Sequence, residues 1–198
     1  MQKPARSTGV TFNFRLRPPL QSGFCNKRRN IMANQTVVTA EPNKQELFIT
    51  REFDVPRELV FNAHVDPDQY VQWVGPNDLE MSIQKLDAHD GGTFEFTHTR
   101  DGHSYRFFGS YHEVLKNERI IGTFEFDGLP ERGHVIMGKT LFEELPNNRC
   151  RLTHQSVFMS VADRDGMVQS GMERGVSKGY EKLDRLFEQM QEPNTASA

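Results

Sequence analysis

The sequence is poor in cysteine, has a single tryptophan, and lacks any long apolar run. Two cysteines, Cys25 and Cys150, cannot build a disulfide framework, and a reducing compartment is the default for such a chain. No stretch approaches the roughly 18 uncharged apolar residues of a membrane-spanning helix, so membrane insertion is not expected. Neither sign of charge dominates: 24 basic against 27 acidic side chains give a formal charge of -3, which is no electrostatic footprint for nucleic acid. Phosphate-loop, nucleophile-elbow, HExxH and CxxC patterns are absent. Cys150 and His154 face the same way on one strand, but about 13 Å separates residues four apart, too far for one metal centre. No metal site, no cofactor and no catalytic set is therefore expected.

Acidic residues are also missing from the first forty positions. Residues 1–31 hold Lys3, Arg6, Arg15, Arg17, Lys27, Arg28 and Arg29, and the first acid is Glu41. The remainder, 32–198, carries a formal charge of -10. The basic stretch has no apolar period with which to bury a face. It reads as a transit peptide, as a basic arm for an anionic partner, or as an upstream extension with Met32 as the natural start; the third is preferred. No signal-peptide core follows the basic residues, and a cytoplasmic location is expected. The domain organisation expected is a disordered basic extension over 1–45, one folded domain over 46–191, and a disordered tail over 192–198.

What is present is a clear change of period. Glu46–Asp54 alternates, with Leu47, Ile49 and Arg51 on one side, and reads as a strand. Pro56 opens a short helix, and Asp66-Pro67 opens a second that ends at Gly75-Pro76. From Leu79 the period is two. Leu79–His89, Gly92–Arg100, Ser104–Leu115, Arg119–Asp127, Val135–Leu145 and Arg149–Met159 read as strands separated by short turns, which requires antiparallel pairing. A long closing helix carries Val168, Met172, Val176, Tyr180, Leu183, Phe187 and Met190 as one stripe, with Asp163 as its cap and Glu181 and Arg185 paired on its wet side. The fold class is α+β: a curved antiparallel sheet of about seven strands gripping a long C-terminal helix, with two short helices after the first strand.

One helix does not fill a strongly curved sheet, so either large side chains or a cavity must occupy the gap. Fifteen phenylalanines favour the first, and pliable methionines suit an adaptable apolar site. The candidate ligand-binding residues are Phe94, Phe96, Phe107, Phe124, Phe126 and Met137 on the strands, with His154 among them. Met172 and Val176 face them from the helix, and Trp73 stands at the expected mouth. Gly171, Gly175 and Gly179 recur every four residues, which implies either close approach of the sheet or space left for a ligand. Glu95, Tyr105, Arg106 and His154 are the polar residues an enzymatic reading would need inside the groove.

These residues resemble a known group. Arg51-Glu52-Phe53 with Val55-Pro56 and Val60-Phe61, Trp73-Val74-Gly75-Pro76, Gly91-Gly92-Thr93-Phe94-Glu95-Phe96, Gly109-Ser110-Tyr111-His112-Glu113-Val114, Glu118-Arg119-Ile120-Ile121, Thr140-Leu141-Phe142-Glu143-Glu144-Leu145 and Ser170-Gly171-Met172-Glu173-Arg174-Gly175 occur in order. Together, over about Phe48 to Met190, they resemble the START-like (SRPBCC) helix-grip superfamily, and within it a single-domain member of the family related to the activator of the Hsp90 ATPase. The resemblance implies a deep apolar cavity and a small hydrophobic ligand held by a carrier, sensor or sequestering protein. Some members of the wider superfamily act as polyketide cyclases or aromatases, which keeps a cyclase-, aromatase- or hydrolase-like enzyme as an alternative. A co-chaperone role is a further alternative, but residues 1–45 are too short and polar for the Hsp90-binding domain of the family's namesake, so Hsp90 is not expected as a partner. A homodimer is expected only on the general frequency of such pairs.

Overall fold

The computed structural model describes residues 34–75 and 78–191. The basic stretch 1–31 and the tail 192–198 lie outside the described residues. In chain order the elements are β1 (Val37–Thr39), β2 (Glu46–Phe53), α1 (Arg57–Val65), α2 (Pro67–Trp73), β3 (Glu80–Leu86), β4 (Thr93–Arg100), β5 (His103–Leu115), β6 (Arg119–Phe126), β7 (Ile136–Leu145), β8 (Arg149–Val157), α3 (Val161–Gln169) and α4 (Met172–Gln191). The strands form one sheet in the order β1-β2-β8-β7-β6-β5-β4-β3, every pair antiparallel.

The meander follows from its turns. Asp101 and Gly102 both adopt positive φ, 52° and 78°, in the two-residue loop between Arg100 and His103, which matches the twist of the strands it joins. Asn117, Asn147 and Asn148 take positive φ at the next hairpins, a conformation asparagine tolerates better than most residues. Two register shifts, at Ile83/Lys85 and Tyr111/Glu113, put bulges in β3 and β5, and bulges bend the strands that carry them. Asp66 caps α2 as expected, its carboxylate accepting from the Asp68 amide at 2.9 Å.

Four details differ from expectation. The sheet has eight strands rather than about seven, because Val37–Thr39 pairs with Phe48–Thr50 inside the stretch assigned to the N-terminal extension. Three residues are too short to show a period, so β1 is invisible to pattern. It is held by a tertiary contact: the Arg51 guanidinium, buried on the inner face, donates to Thr36 Oγ1 at 2.8 Å and pairs with Asp184 of α4. The closing helix is two helices. Gly171 stands at φ +80°, outside the right-handed helical region, and separates α3 from α4. Its start is capped by Ser160, which accepts from the Asp163 amide at 3.0 Å, and not by Asp163. Glu181 pairs with Lys178 at 3.6 Å instead of with Arg185.

The buried residues form two clusters. The larger joins β2, β8, α1 and α4 through Leu47, Phe53, Leu152, Leu183 and Phe187. The smaller holds Phe94, Phe96 and Tyr111 on β4 and β5.

Candidate functional site

Tyr70, Val74, Val114 and Ile120 pack against both clusters, and on the inner face of β5, β6 and β7 burial is incomplete. Phe107, Phe124, Phe126 and Ile136 are only half-buried, as are Met172 and Val176 on the helix opposite. In the larger cluster, by contrast, Leu47, Phe53, Leu152 and Leu183 have no exposed surface. The rings are ordered rather than loose. Phe107 stacks on Phe96 at 5.1 Å and on Phe126 at 5.0 Å, and it meets Phe124 at 5.6 Å. This aromatic wall packs at the edge of the smaller cluster, while Met172 and Val176 of α4 pack on the larger one.

A polar strip lies beside it. Register places Thr140 opposite His154, and Ser156 follows two residues on, so all three share the inner face. His154 Nδ1 is 2.8 Å from Thr140 Oγ1 and Nε2 is 3.0 Å from Ser156 Oγ, so one ring nitrogen donates and the other accepts. Burial lowers the His154 pKa to about 4, which keeps the ring neutral. His64 of α1 approaches from the other side. Its ring lies 4.8 Å from Trp73 and 5.2 Å from Phe142, and its Nδ1 donates to the Val60 carbonyl at 2.7 Å. Burial brings its pKa to about 4; the Val60 carbonyl opposes that shift, and repulsion from His154 adds to it. Both residues are half-buried, and burial keeps both rings neutral.

The expected site residues divide. Phe107, Phe124, Phe126, His154, Met172 and Val176 are half-buried. Phe94 and Phe96 lie in the smaller core cluster, 9% and 3% exposed. Trp73 is not at a mouth. It is buried, donates from Nε1 to the Ala63 carbonyl at 2.8 Å, and stacks on Tyr180 at 5.7 Å, because α2 docks directly on α4. Met137 is a correction: it pairs with Val157 on the outer face and is 54% exposed, since the inner face of β7 falls on Ile136, Gly138 and Thr140. Glu95 and Arg106 also point outward, joined by two bonds at 2.9 and 3.0 Å, and Arg106 reaches Asp127 at 3.0 Å. Tyr105 is exposed. Of the four polar residues an enzyme would need, only His154 combines an inner-face position with partial burial.

The sequence reading missed His64, Thr140 and Ser156. Ser156 was accessible in principle, since Leu152, His154 and Ser156 alternate. His64 and Thr140 depend on which strand lies beneath α1, and pattern carries no such information. The glycine row has three separate explanations. Gly171 breaks the helix, a β-carbon on Gly175 would meet nothing within 4 Å, and one on Gly179 would lie 3.1 Å from the Trp73 carbonyl oxygen. Close approach therefore applies to Gly179 alone.

Two recesses are present at the surface. One of about 360 Å³ lies on the outer face of the sheet beside Glu95, Arg106, Phe108 and Val135. One of about 140 Å³ lies between Asp54 and the end of α4. Among the described residues there is no cluster of three potential metal ligands, and no helix is long and apolar enough to cross a membrane.

Comparison with known proteins agrees with this architecture. A crystal structure of a Mycobacterium smegmatis protein superimposes with a TM-score of 0.71 at 20% identity, over 79% of this chain and 100% of that one. A solution structure from Arthrobacter aurescens gives 0.70 at 22%, covering 82% and 98%. The AHSA1 protein of Silicibacter pomeroyi gives 0.60 at 22%, covering 74% and 99%. At these identities the likeness concerns the fold. No functionally curated protein matches the chain. The sequence profile of the activator of Hsp90 ATPase homolog 1-like proteins matches residues 54–188.

Proposed function

The chain belongs to the activator of Hsp90 ATPase homolog 1-like family, and from that premise we propose that it binds a small hydrophobic molecule in the hollow between sheet and α4, as a cytoplasmic carrier, sensor or sequestering protein. The observation that carries this reading is uneven burial. Phe107, Phe124 and Phe126 on the sheet and Met172 and Val176 on α4 are only half-buried, whereas Leu47, Phe53, Leu152 and Leu183 of the larger cluster have no exposed surface. Incompletely covered aromatic surface inside a fold forgoes dispersion contacts that a flat apolar guest would supply. The few polar groups beside it suit orientation of a ligand more than chemistry. Catalysis of the cyclase or hydrolase kind has weaker support, because Glu95 and Arg106 neutralise each other on the opposite face.

A thermal-shift series with fused aromatic hydrocarbons such as naphthalene tests the reading. A ligand at a hundred times its Kd stabilises the native state by about 2.7 kcal/mol. The expected result is a dose-dependent rise in Tm that Val176→Trp, filling the hollow from the helix side, abolishes. A flat response, or backbone resonance shifts confined to the outer-face recess at Thr93, Ser110 and Thr123, would overturn it.

A further inference from the structure

The recess of about 360 Å³ on the outer face of the sheet has a chemistry of its own. Antiparallel register sets Lys85, Glu95, Phe108 and Glu125 in one row across β3, β4, β5 and β6. Both cations of the lining already have carboxylates. Arg106 donates to Glu95 at 2.9 and 3.0 Å and to Asp127 at 3.0 Å, and its guanidinium lies 4.4 Å over the Phe108 ring. Lys85 lies 3.8 Å from Asp87. One carboxylate has no cation. Glu125 is half-buried opposite Phe108, and among the described residues its side chain takes no hydrogen bond or ion pair. Val135, one step before the Phe124–Ile136 pair, supplies apolar surface to the same recess. The hydroxyls of Thr93 and Ser110, register partners on β4 and β5, make no hydrogen bond among the described residues either. A carboxylate held beside apolar groups gives up water without gaining a counter-charge, which favours a cation that brings its own apolar body. An anion would have to draw Arg106 away from Glu95 and Asp127. The volume falls in the lower part of the roughly 300–1,000 Å³ of small-molecule sites.

We propose that this recess is a second binding site, which takes a small aromatic amine: the ammonium pairs with Glu125, and the ring lies against Phe108 and Val135. The site is on the opposite face of the sheet from α4. It does not depend on hydrophobic-ligand binding at the inner face, and its failure would leave that reading untouched.

The test titrates the full chain at neutral pH and low salt with 2-phenylethylamine, 2-phenylethanol and 3-phenylpropionate, following backbone amide resonances. The expected result is that the amine shifts Thr93, Ser110, Thr123 and Glu125 and binds about 3- to 5-fold more tightly than the alcohol, the strength of a partly exposed ion pair. The carboxylate should be the weakest of the three. Glu125→Gln should remove the preference for the amine while the alcohol binds as before. Should that variant not fold, added salt decides on the unaltered protein, since screening should shrink the preference for the amine and leave the alcohol unaffected. Equal affinities for amine and alcohol, or no binding by any of the three, would sink the second site. Amine-induced shifts at Phe107 and Phe124 instead of the recess would do the same and assign the amine to the inner face.

Discussion

At the scale of single residues, the two neutral histidines govern the response to acid. The pKa values of His64 and His154 in the folded protein lie at about 4, below the ordinary value of 6.5 that the unfolded chain regains. The unfolded state therefore binds protons first as pH drops. Stability is complete above about 6.5 and is lost as pH falls towards 4, with a slope of up to ~1.4 kcal/mol per pH unit for each ring. Urea titrations at pH 7, 6 and 5 should show that decline, and His154→Gln should reduce its slope, with His64 and His98, whose pKa burial also lowers, supplying the rest. An unchanged slope in the variant would remove His154 from the account. Cys150 belongs to the same scale: burial pushes its thiol up to about 12, so thiol reagents should label it only on unfolding. Arg51 shows what sequence conveys about such residues. Alternation placed it on the inner face with Leu47 and Ile49, and the structure buries it there. Its partners Thr36 and Asp184 lie 15 and 133 positions away, beyond any periodic signal.

Elements were legible where their period was sustained. Each six-strand meander segment and both short helices announced themselves by alternation, capping residues and turn formers. The break in the closing helix was harder to read, because the stripe from Val168 to Met190 runs through it without losing phase. Only the φ of +80° at Gly171 separates α3 from α4, and a glycine's φ is not written in its identity. The glycine row supplies a paired prediction. Gly175→Ala should stabilise the protein by about 0.5–1 kcal/mol, since the helix gains propensity and the new methyl meets open space. Gly179→Ala should lose that gain or reverse it, because the methyl would press on the Trp73 carbonyl oxygen at 3.1 Å. Thermal unfolding of the two variants side by side reads the difference; equal effects would mean that α2 yields freely. α4 is also tethered by charge. Asp184→Ala leaves the buried Arg51 without its carboxylate and should cost roughly 2–3 kcal/mol in urea unfolding, a pair buried on both sides costing more.

For the whole molecule, fold and site were unequally accessible. The architecture followed from a change of period and the rule that an antiparallel sheet must cover one face. The candidate binding face did not, because it depends on which inner-face side chains the helices reach. Met137 illustrates the difficulty: a strand gives alternation, but Met137 and Ile136 are adjacent apolar residues, and only pairing with Val157 shows which of them faces outward. The two faces therefore predict opposite mutational behaviour. Met137→Lys on the outer face should change stability by no more than about 0.5 kcal/mol and leave naphthalene binding intact. Phe107→Ala, within the aromatic wall, should weaken that binding severalfold in the same titration. A reversal of the two outcomes would place the ligand on the outside of the sheet.

Leaving part of its aromatic face half-covered has an adaptive side. A fully covered face would hold the sheet more firmly, so this chain stands below the stability its own architecture could reach. Laboratory selection for heat tolerance alone would favour bulkier substitutions there, beginning near Gly138, Val176 and Ile136. The survivors would be hardier, and they would no longer have anywhere to put a guest.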